Sequence, residues 1–89
     1  MILARIVGTV VATRKDERLT GMKLLVAQVQ DPKGKDQSGY LVAVDTVDAG
    51  LGDRVLIVQG SSARMATDMT DRPVDAAIIG VVDVVEMES

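Results

Sequence analysis

Ser61 and Ser62, followed two residues later by Arg64, are the side chains whose types and spacing come nearest to a reactive set. Two hydroxyls and a guanidinium stand directly after an apolar run that Gly60 stops, where a loop would present them. A serine nucleophile needs a neighbouring base, and the chain contains no histidine, so only a lysine or a carboxylate could take the proton. Gly60-Ser61-Ser62 as a phosphate cradle is a weak pattern, because it follows a strand but opens no helix of useful length. Asp45, Asp48 and Asp53 could suggest a cation site, but their spacing matches no calcium loop and aspartates that shape turns explain them. With no cysteine either, thiolate metal sites and disulfides are excluded. The residues present therefore predict no catalytic set, no cofactor and no metal, and ordinary enzyme chemistry is not expected.

The elements that must carry these residues read as strands. Ile2 to Thr13 alternates loosely as one long strand, with Gly8 marking a bend or bulge. Arg14 to Arg18 is a charged, solvated loop, and Lys23 to Asp31 is the second strand. Asp31 to Gly39 is turn chemistry throughout and leads to a third strand, Tyr40 to Val44. Gly50 and Gly52 are expected to supply positive φ in the turn before a fourth strand, Arg54 to Gln59. One helical turn over Ala63 to Thr67, capped by a serine, leads through an extended connection at Pro73 to a last strand, Ala76 to Glu86. Asp83 is out of place in so apolar a strand and must find a donor, an edge or an interface. Five strands with short turns predict an all-β fold: a single domain over residues 1–89, built as a five-stranded OB-like β-barrel with at most one or two short helical turns.

Composition limits what such a barrel can do alone. The chain has 89 residues, 47% of them hydrophobic, yet Tyr40 is its sole aromatic. A chain of this size buries only about 60–65% of its unfolded surface, and aliphatic side chains offer less area than rings. Both faces of the first and last strands are largely apolar, so one needs a cover, and another copy of the chain is the natural one. The net charge of −3 disfavours nucleic acid, and one tyrosine cannot build a base-stacking platform. No run reaches the ~18–20 apolar residues of a membrane span and the start has no charged leader region, so no membrane partner and a cytoplasmic location are expected.

Four ordered blocks give a more specific signal: L-T-G-M-K-L-L-V-A-Q at 19–28, A-V-D-T-V-D-A-G-L-G-D-R-V-L at 43–56, G-S-S-A-R at 60–64 and R-P-V-D-A-A-I-I-G-V-V-D at 72–83, after an opening strand that ends G-T-V-V-A-T. Together they resemble the EutN/CcmL family of bacterial microcompartment shell vertex proteins, over nearly the whole chain. The resemblance implies a barrel assembled into a cyclic homopentamer that caps the fivefold vertices of a shell otherwise tiled by hexameric proteins. It further implies that Gly60, Ser61, Ser62, Ala63 and Arg64, with Arg72, Pro73, Val74, Asp75 and Asp83, lie at the fivefold axis or at subunit and shell contacts. Arg64 is then expected to pair with a carboxylate such as Asp75 or Asp83. An OB-type module for single-stranded nucleic acid or a small ligand is the competing reading, motivated by the barrel alone.

Overall fold

The computed structural model describes residues 1–13, 15–66 and 74–88. Five strands, β1 (Ile2–Val10), β2 (Leu24–Gln30), β3 (Asp36–Asp45), β4 (Arg54–Gln59) and β5 (Ala76–Val81), close into a barrel in the order β1-β2-β3-β5-β4. A 3-10 turn, Glu17–Leu19, interrupts the β1–β2 connection, and one helix, α1 (Ser61–Ala66), follows β4. Every pairing is antiparallel except β3 with β5, which meet over only Val44↔Ala77 and Asp45↔Ile78.

Alternation decides which side chains fill the barrel. Ala4 and Ile6 of β1, Leu25 and Ala27 of β2, Ala43 of β3, Val55 and Ile57 of β4 and Ile78 of β5 form one buried cluster, with no aromatic ring among them. Alanine recurs because a five-stranded barrel is too narrow for large side chains from every strand. β1 slips register between Ile6 and Gly8, the bulge that the glycine predicts, and so bends as closure requires. A second apolar cluster lies outside the barrel, where Val44, Val58, Val74 and Ala77 pack on Ala63 of α1. Val10 ends β1 and Val81 ends β5, both earlier than the sequence patterns extend them. Val82 instead donates its N–H to the Arg54 carbonyl at 2.8 Å, and the chain then leaves the sheet.

β3 starts earlier than expected, at Asp36, because the turn chemistry is confined to Asp31–Lys35. Asp31 holds that turn: its Oδ1 accepts from the N–H groups of Lys33 and Lys35, each at 2.9 Å. Gln37 to Gly39 is an irregularity in the β2–β3 register, and the buried Gln28 side-chain amide spans it by donating to the Gln37 and Gly39 carbonyls at 2.6 and 3.0 Å.

Arg14 lies outside the described residues; Lys15 to Arg18 are exposed, as the sequence predicts, and are held by local hydrogen bonds. Asp16 caps the 3-10 turn, accepting from the Arg18 N–H at 2.9 Å and from its guanidinium at 2.8 Å. The Arg18 side-chain hydrogen bond, with a smaller share from the Arg18 backbone N–H, lowers the Asp16 pKa from 3.8 to about 2. A depressed carboxylate pKa means that this contact stabilises the fold above pH 3.8 and is lost as pH falls toward about 2. An NMR titration should give the Asp16 carboxyl a midpoint near 2, rising to the ordinary carboxylate range in Arg18→Ala. A midpoint near 3.8 in the parent chain would mean that the contact does not persist in solution.

Candidate assembly surface

β4 delivers the 60–64 segment by ending abruptly. Gly60 takes φ 64°, a left-handed conformation that costs glycine little, and its N–H donates to the Asp75 carbonyl at 2.8 Å. The chain then enters α1 at Ser61, so the serines occupy the first turn of the helix instead of preceding it as a cap. Both serines are exposed, while Ala63 is buried in the second apolar cluster. Arg64 donates from Nη1 to the Val74 carbonyl at 3.4 Å. Two stretches singled out by sequence, 60–64 and 74–75, are thus joined by one main-chain hydrogen bond and one from the Arg64 side chain. Arg72 and Pro73 lie outside the described residues.

Asp83 is not part of this group. β5 runs antiparallel to β4 with Ala76 beside Gln59 and Val81 beside Val55, so the chain beyond Val81 lies at the opposite end of β4 from Gly60. Five strand steps separate the two ends by about 16 Å, beyond the reach of Arg64 in the same chain. Asp83 is exposed, past the end of β5, and the difficulty of a carboxylate inside an apolar strand disappears.

The three aspartates of the corner between β3 and β4 are structural, as expected of turn-formers. Asp45, with a side chain only 2% exposed, accepts from the Val47 N–H at 3.0 Å and the Ala49 N–H at 2.9 Å. Lys23 reaches across from the start of β2, donating to the Ala49 carbonyl at 2.8 Å, with Asp45 at 3.6 Å and Asp48 at 3.7 Å. Asp53 accepts from the Gly50 N–H at 2.8 Å. Gly52 has positive φ as predicted but Gly50 does not; the second left-handed position is Asp48, at φ 59°. Thr46, unremarked in the sequence, donates its hydroxyl to the Ile78 carbonyl at 2.6 Å and fastens the corner to β5.

Apolar surface is abundant, but not quite where strand patterns put it. Ala76, Ala77 and Ile78 are all buried within the single chain, and the outward side chains of β1 from Leu3 to Val7 are half-buried. The uncovered apolar side chains are Val11, Val81 and Val84, in the stretches the sequence reads as the first and last strands, together with Tyr40 (69% exposed) and Val42 (47%) on β3, Leu51 and Met65. A groove of about 220 Å³ opens beside Val42, lined by Leu19, Leu24, Val44, Val74 and Ala76 as well. β3 is paired to β5 only at its last two residues, so Asp36 to Ala43 keeps one edge unpaired among the described residues. The reason is the brevity of the parallel β3–β5 contact, which sequence alone does not disclose.

Comparison with known proteins bears on what covers such a surface. Residues 1–83 match the family model described as ethanolamine utilisation protein EutN/carboxysome. The carboxysome shell vertex protein CcmL of Synechocystis sp. is 47% identical over 89 residues, which is 100% of this chain and 89% of that protein. The solved structure of Gloeobacter violaceus CcmL superposes with a TM-score of 0.93 at 41% identity, covering 99% of this chain and 91% of the other. The GrpN pentameric microcompartment shell protein from Rhodospirillum rubrum superposes with a TM-score of 0.91 at 43% identity, covering 99% of this chain and 100% of that one.

Proposed function

Because this chain belongs to the EutN/CcmL family, whose curated members are shell vertex proteins, we propose that it is a structural shell protein that forms homopentamers at the fivefold vertices of a bacterial microcompartment. The carrying observation is the match of residues 1–83 to the family together with the close superposition on a pentameric shell protein. The chemistry agrees. A ring of five uses a head-to-tail contact, in which one patch of each copy meets a different patch of the next. The open β3 edge with Tyr40 and Val42, and the groove beside it, supply apolar surface that a lone copy would leave in water.

The role is geometric. Sixfold tiles make flat layers, and a fivefold unit introduces the curvature by which a layer closes into a polyhedron. Hexameric shell proteins are accordingly the partners, the protein works in the cytoplasm as part of the shell, and no enzymatic activity is assigned to it. Gly60 to Arg64 and Val74 to Asp75, already joined in one chain, are the stretches placed at subunit or shell contacts, and Asp83 meets Arg64 only from a neighbouring copy. A nucleic-acid role has no comparable support, since the single aromatic lies on an acidic chain.

Native mass spectrometry at micromolar concentration should give a pentamer; a monomer or dimer would refute the ring. Co-expression with hexameric shell proteins should give closed particles, and open sheets or tubes when this chain is left out. Arg64→Ala should weaken assembly while circular dichroism shows the barrel intact, and full assembly would remove Arg64 from the contact.

A further inference from the structure

The mouth of the barrel where β1, β3 and β4 approach the Asp31–Lys35 turn carries an unbalanced guanidinium. Arg5 pairs with Asp36 at 3.1 Å, and Gln30 joins that carboxylate to Arg54: its amide donates to Asp36 at 3.0 Å, and its carbonyl accepts from Arg54 Nε at 3.2 Å. The chain ends there. Among the described residues Arg54 makes no ion pair, and its buried Nη2 has no protein acceptor. A neutral amide does not compensate a full charge, and a buried donor left unpaired is costly enough to call for an explanation.

Beside this guanidinium lies a cavity of about 650 Å³ lined by Pro32, Lys33, Arg54, Val85, Met87 and Glu88. Its walls are built rather than accidental. Asp31 fixes the turn that carries Lys33, and a side-chain carbon on Gly34 would meet Arg54 Cζ at 3.7 Å, so the guanidinium packs close against that turn. On the other side, the hydrogen bond from Val82 to the Arg54 carbonyl starts the C-terminal segment across the opening. Within a chain of net charge −3, this cavity collects two cations against one carboxylate, Glu88, which forms no ion pair with either among the described residues.

We propose that the cavity between the Asp31–Lys35 turn and the C-terminal segment binds a small oxyanion, held by the Arg54 guanidinium and the Lys33 ammonium. A planar guanidinium fork suits a carboxylate or phosphate, and lysine adds a point charge. Pro32, Val85 and Met87 line the remaining wall, which accepts a short apolar substituent on the anion. Glu88 is the built-in competitor: its carboxylate borders the same cavity and must stay aside for the ligand to enter. The site does not depend on the vertex reading, because every group in it comes from one chain.

The test is calorimetric titration of the intact chain with inorganic phosphate and with acetate, at constant ionic strength against a chloride control. Saturable binding of at least one probe is expected, with phosphate the tighter. Arg54→Lys, which keeps the charge and loses the fork, should weaken it about tenfold, Lys33→Ala should weaken it several-fold and Glu88→Gln should tighten it. Circular dichroism checks each variant, and Lys33→Ala, on an exposed turn, keeps the test decisive if Arg54→Lys does not fold. Heats indistinguishable from chloride, or binding equal to the parent in Lys33→Ala, would overturn the proposal.

Discussion

Ile57→Ala should cost about 3 kcal/mol of stability, within the range of large-to-small substitutions at sites that cannot collapse. Ile57 is fully buried in mid-strand on β4, with Ile2 of β1 and Ile78 of β5 as its paired neighbours. Strands on both sides hold the backbone in place, so the lining cannot move in to fill the void. The surrounding side chains are small or aliphatic, and no aromatic ring is present to swing across the gap. In a domain of this length the loss corresponds to a fall in melting temperature of roughly 15 °C. Because assembly adds stability by mass action, parent and variant must be compared at one protein concentration. A shift of only a few degrees would show that the ring, not the barrel interior, governs unfolding.

Asp45→Ala should be nearly as damaging, by about 2–3 kcal/mol, for a different reason. It removes no apolar contact but leaves the N–H groups of Val47 and Ala49 without their acceptors, and it takes a nearby carboxylate from Lys23. The same two hydrogen bonds hold the turn in which Asp48 sits at positive φ, so the corner loses its shape along with its partners. Asp45→Asn separates the two effects. One oxygen can still serve Val47, while the amide nitrogen would meet the Ala49 N–H donor to donor, so about half the loss should return. Chemical denaturation measures both, and equal stability of the Asp45→Ala chain and the parent would mean that water replaces the carboxylate at no cost.

The sequence by itself determined the strand inventory, the turn aspartates and the family. These are local matters or ordered strings: alternation sets which side chains can point inward, glycine and aspartate set where the chain can turn, and blocks such as 43–56 and 60–64 carry their order with them. The C-terminal boundary of β5 was not legible, because Val82, Val84 and Val85 continue a strand-like pattern that pairing with β4 stops at Val81. Only the tertiary structure decided which polar side chains meet. Arg5, Gln30, Asp36 and Arg54 are scattered over four strands, and barrel closure alone brings them into one network. It likewise decided that Asp83 and Arg64 lie at opposite ends of β4, and that the open apolar edge is on β3. The physical reason is the same throughout: periodicity reports what a residue prefers along its own strand, whereas partners across a barrel depend on register and closure, which belong to the assembled sheet.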